Sequence, residues 1–90
     1  MKLGILAGAG GAKIRINLDR IKYAENLGYD SVWTAEAWGG DAVTSATWML
    51  AHTTRINVGT AIMQMPARTP AMAAMTAMSL AELSGGRFIA

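Results

Sequence analysis

Four short apolar or β-branched runs, Leu3 to Ala7, Ser31 to Ala35, Arg55 to Ile62 and Arg87 to Ala90, alternate with three segments of helical character. This alternation constrains the fold more than any other feature. Strands separated by helices with short loops must pair in parallel through right-handed crossovers, which leaves two architectures: a barrel with helices on one face of the sheet, or a doubly wound sheet with helices on both. The pattern by itself does not choose between them.

The helix boundaries are written in local chemistry. Asn17 offers an N-cap oxygen, Leu18, Ile21, Ala24 and Leu27 recur at helical spacing, and Gly28 supplies a left-handed stop. Asp41 caps a second helix that runs through Ala42, Val43, Ala46, Met49 and Leu50 to about His52, a residue that suits the negative end of the helix dipole. Thr69-Pro70 opens a third helix over Ala71 to Ser84, built of strong helix formers and closed by Gly85-Gly86. No linker, repeat or low-complexity tract interrupts the series, so residues 1–90 read as part of one domain of about three and a half βα units.

Composition sets limits on what such a chain does. It has 90 residues, 52% hydrophobic and 16% charged, more apolar than an ordinary soluble domain of that size. The expectation is therefore a truncated chain or one in tight association. The net charge of +2 is spread thinly, which argues against a nucleic-acid surface. With no cysteine and a single histidine, His52, no metal cluster is expected, and Met65, Met72, Met75 and Met78 read as gap fillers against the sheet. The apolar run Ala71 to Leu83 is too short to span a membrane, and the N-terminal run is too short for a secretory core, so a cytoplasmic location is expected.

In both parallel architectures ligands bind at the carboxyl-terminal strand ends, here Ala7 to Gly11, Glu36 to Gly40 and Thr60 to Arg68. Gly8-Ala9-Gly10-Gly11 invites a nucleotide-binding reading, but the third glycine of that motif would fall on Lys13, and the helix begins too far on; a tight turn is the simpler reading. Glu36 beside Trp38 suits proton transfer or a hydrogen bond to a ring cofactor, with Trp38 stacking on the ring. Equally, Glu36 could cap its loop and Trp38 could cover the mouth.

The segments Leu27 to Gly39, Ala51 to Thr60, Ala67 to Pro70 and Leu83 to Phe88, taken together and in order, resemble the luciferase-like monooxygenases, nearest the branch that uses the deazaflavin coenzyme F420. The resemblance covers nearly the whole chain. It implies the N-terminal part of a (β/α)8 TIM barrel that binds F420, or alternatively FMN, at its mouth and transfers hydride at the central ring. By position it assigns ring contacts to Gly8, Glu36, Trp38, Thr60, Ala61, Ile62 and Met63, with Glu36 the catalytic candidate, and a non-prolyl cis peptide at Ala61-Ile62. Many deazaflavin-dependent relatives carry an Asp-His pair where this chain has Glu36-Ala37, so a histidine acid or base there is excluded. The family's phosphate-binding loops lie in later strands. A small-molecule substrate and a homo-oligomer are the expected partners. The rival readings are a noncatalytic half-barrel that assembles with another chain and a nucleotide-binding βα module.

Overall fold

A computed structural model describes residues 1–11 and 13–90, with residues 8–11 described as strand backbone. Its elements run β1 (Gly4–Gly11), α1 (Leu18–Asn26), β2 (Ser31–Gly39), α2 (Ala42–Ala51), β3 (Asn57–Thr60), a single 3-10 turn (Met65–Ala67), α3 (Pro70–Leu83) and β4 (Phe88–Ile89). The strands form one sheet in the order β1-β2-β3-β4, every neighbouring pair parallel. A doubly wound sheet reverses its strand order at a switch point, and this sheet does not. The winding is that of one wall of a (β/α)8 barrel.

All three helices lie on the same face. Ile21 of α1, Ala46, Met49 and Leu50 of α2 and Leu80 of α3 form one buried cluster with Val32, Ile56 and Val58, and Ile5, Ala7 and Phe88 pack on its margin. Strand side chains alternate between faces, so the residues one position along point the other way. There the Trp33 ring lies across Gly59, its register partner, where a Cβ would collide with the six-membered ring. Trp33 Nε1 donates to Ser31 Oγ at 2.8 Å. Leu6 and Ile89, on that face by register, are exposed.

The caps stand where the sequence places them. Asn17 Oδ1 accepts from Arg20 N at 3.1 Å, Asp41 Oδ2 from Thr44 N at 2.9 Å and Thr69 Oγ1 from Met72 N at 3.2 Å, and Gly28 and Gly85 take positive φ at the helix ends. Two polar staples tie helices to loops. The buried Glu25 carboxylate accepts from the backbone N–H groups of Thr54, Arg55 and Ile56, which hold its pKa down against the upward pull of burial. Arg87 donates to the carbonyls of Leu50, Thr53 and Ile56.

Four local expectations are corrected. Gly8 to Gly11 are not a tight turn: β1 continues through them, pairing Ala9 with Ala35 and Gly11 with Gly39 across two register shifts, because β2 also runs on to Gly39. β3 is shorter than Arg55 to Ile62, ending at Thr60 before the cis peptide Ala61–Ile62. Leu27 lies outside α1 and is exposed. Met72, Met75 and Met78 do not pack on the sheet: α3 turns Ala73, Thr76, Ala77 and Leu80 inward and leaves these methionines 50%, 56% and 72% exposed, with Met65 more exposed still.

Candidate functional site

The three strand-end segments meet at one end of the sheet. Gly11 pairs with Gly39 and so brings the end of β1 to the end of β2, while the β3–α3 connection folds back over β2. That connection is held by Ala61 N donating to Thr34 O at 2.7 Å, Glu36 N to Ile62 O at 3.0 Å and Gln64 Nε2 to Ala37 O at 2.8 Å. The Ala61–Ile62 bond is cis, at the position the family resemblance implies.

Glu36 is the hub of this end. One carboxylate oxygen accepts from Gln64 N at 2.7 Å and the other from Ala42 N, in the first turn of α2, at 2.8 Å. Arg68 donates to both oxygens, NH1 to Oε1 and NH2 to Oε2, and its NH2 also lies 3.7 Å from Asp41 Oδ2. The guanidinium is the largest influence on Glu36 and, with the two backbone donors, lowers its pKa to about 2 against the opposing effect of burial; Glu36 in turn raises that of Arg68. A carboxylic acid ionised so far below neutrality has no proton to give, and as a base it is already saturated with donors. Its chemistry is that of an anchor.

The residues assigned to the ring fall on the same rim with different exposures. Trp38 projects from the end of β2 at 87% exposure and Ile62 stands at 74%, with Ala61 exposed and Met63 half-buried. Thr60 is buried, and its hydroxyl has no hydrogen-bond partner among the described residues. Gly8 lies within β1, where only backbone is described. Beside the rim a cavity of about 310 Å³ is lined by Glu36, Ala37, Gly39, Gly40, Asp41, Gln64, Ala67 and Arg68. An exposed indole and aliphatic side chain suit the face of a planar ring, whereas the Thr60 hydroxyl lies on the helix-facing side of β3 with Val58, shielded from solvent.

Other features resolve into structural roles. Residues 12–17 separate the glycines from the start of α1, and strand pairing engages those glycines, so the helix N-terminus does not meet them as a phosphate cradle requires. His52 caps α2, its Nδ1 2.8 Å from Trp48 O and its ring tilted 41° against that of Trp48 at 4.3 Å between centroids. No group of three or more potential metal ligands occurs among the described residues. No helix there is long and apolar enough to cross a membrane.

Three polar side chains that organise the molecule, Arg68, Glu25 and Arg87, carry no individual role in the sequence reading. Glu25 could have been found, since it follows Ile21 by four positions and so sits on the buried stripe of α1. Arg68 has no comparable signal, because its partner is 32 residues away.

A parallel, sequentially wound sheet with its polar hub and exposed aromatic at the carboxyl ends defines a barrel-wall class of protein whose candidate site is the mouth. The family model for luciferase-like monooxygenases matches residues 1–90, and the chain belongs to that family. It is 47% identical over 90 residues to a Mycobacterium tuberculosis protein named as a coenzyme F420-dependent oxidoreductase, covering 99% of this chain and 26% of that one. It is 31% identical over 80 residues to the 4-hydroxyprotoasukamycin monooxygenase of Streptomyces nodosus subsp. asukaensis, covering 80% of this chain and 21% of the relative. The chain thus spans about a quarter of the length of these relatives.

Proposed function

We propose that this chain is the N-terminal wall of a coenzyme F420-dependent oxidoreductase and that its rim holds the deazaflavin ring against a small-molecule substrate. The observation that carries this reading is the 47% identity to the F420-named relative, over an alignment that covers 99% of this chain. When bound, the cofactor supplies hydride transfer. Trp38 and Ile62 offer apolar surface to the ring, the backbone of Ala61 to Met63 lies along its edge, and Gly8 and Thr60 add contacts from the strand ends. Glu36 belongs to this rim as the anchor of its backbone; the proton-transfer role first considered for it is dropped, because its carboxyl titrates at about 2 with both oxygens occupied. A cytoplasmic location and a homo-oligomeric state go with this reading. The second is supported by the exposed apolar stripe Met72, Met75 and Met78 on α3, which only Glu82 of that helix interrupts with charge.

The test is a fluorescence titration of the full-length protein with F420 and, separately, FMN. Saturable binding of F420 with FMN weaker is the expected result, and tighter binding of FMN transfers the reading to the flavin. A defined oligomer that binds neither overturns it in favour of the noncatalytic half-barrel.

A further inference from the structure

We infer that Arg68 is a positioning residue: by clasping Glu36 it sets the backbone of residues 61–64 in the place where the ring cofactor is received. The inference rests on the proposed F420 reading for the identity of what is received. Residues 61–64 belong to no helix or strand, so their conformation depends on what grips them. Beyond two backbone bonds that tie Ala61 and Ile62 to β2 and one from the Gln64 side-chain amide to Ala37, the grip is centred on one carboxylate. Glu36 is reached by Gln64 N from the connection, by Ala42 N from α2 and by the Arg68 guanidinium from the residue before the α3 cap, so three chain segments close on a single side chain at the end of β2.

Glu36 cannot hold these segments equally well alone. Its side chain is 7% exposed and that of Arg68 15%, so removing the guanidinium leaves a largely buried carboxylate short of its only cationic partner within bidentate reach among the described residues. The least costly response is for the segment to move and admit water. The core beneath, built on Val58 and Leu80, makes no use of the clasp. Displacement therefore falls on Met63 and Gln64, past the backbone bonds that tie Ala61 and Ile62 to β2. A lysine at position 68 keeps the charge but lacks the two-pronged fork, and is expected to restore part of the effect.

Amide hydrogen exchange on the full-length protein without cofactor reads the clasp directly, and an F420 titration reads its consequence. In Arg68→Met, exchange at Gln64 and Ala42 is expected to rise at least tenfold while Val32 and Val58 are unchanged, and F420 binding to weaken at least tenfold, with Arg68→Lys between the two. Unchanged exchange at Gln64 overturns the clasp, and raised exchange with unchanged F420 affinity overturns its bearing on the ring. A uniform rise across β2 and β3 reduces Arg68 to a general stabiliser and also overturns it. Should Arg68→Met fail to fold, Arg68→Lys must show the same local pattern at smaller amplitude, and its absence is decisive. If the unsubstituted protein binds no F420, the proposed function fails on that result, while the exchange pattern still upholds or overturns the clasp.

Discussion

Glu36 carries the largest acid sensitivity that can be assigned to one side chain here. Arg68 and the N–H groups of Ala42 and Gln64 favour its ionised form, lowering the pKa from 4.5 to about 2. A group whose folded pKa lies below its unfolded value contributes stability that is complete above the unfolded pKa and is lost as pH falls toward the folded one. The shift corresponds to roughly 3 kcal/mol, present above about pH 4.5 and mostly gone near pH 2. Denaturant unfolding of full-length Glu36→Gln against the parent should show the parent's advantage at pH 6 falling to less than half at pH 3. Glu25 is common to both proteins and cancels, while Asp41, which also faces Arg68, cancels only in the part set by its bonds to Thr44. An advantage equal at the two pH values would mean that the ion pair is not what the carboxylate contributes.

Elements show where sequence is informative and where it is not. Helix starts were legible because Asn17, Asp41 and Thr69 each satisfy an amide of the first turn, a local transaction complete within three residues. The extension of β1 through Gly8 to Gly11 was not, since glycine has no strand preference of its own and the pairing that recruits it comes from β2. The direction of α3 failed for another reason. Alanine and methionine surround that helix, so no stripe stands out as the one to bury. At the site, the loops that would meet were legible from strand order alone, whereas the role of Glu36 depended on Arg68, which local patterning does not connect to it. β3 supplies a prediction of the same kind. Gly59 is required by Trp33 on the neighbouring strand, whose ring occupies the space of any Cβ there. Gly59→Ala in the full-length protein should cost about 1–3 kcal/mol of unfolding free energy, measured by denaturant titration; a change within error would show that the indole can swing aside freely.

Besides the rim at Trp38 and Ile62, the molecule leaves apolar surface uncovered on the inner sheet face and along α3, and these two differ in origin. Leu6 at 57% and Ile89 at 37% lie on the inner face of the sheet, opposite the helices, and the sheet presents β1 at one edge and the two-residue β4 at the other. In a closed barrel the remaining strands pair both edges and fill the interior. The methionines of α3 lie on the outer side, and closing the barrel does nothing for them. Open strand edges beside an apolar face are templates for pairing with another chain. The 90-residue chain made alone is therefore expected to self-associate, with sedimentation that depends on concentration and apolar-dye binding well above that of the full-length protein. On the proposed reading, strands that close the barrel should remove the inner face's share of the dye binding and leave the share of α3, along with any association through it. A monodisperse monomer of the isolated chain that unfolds cooperatively would show that four strands and three helices satisfy their own surfaces, and the inner face would then have to be read as a finished surface in its own right.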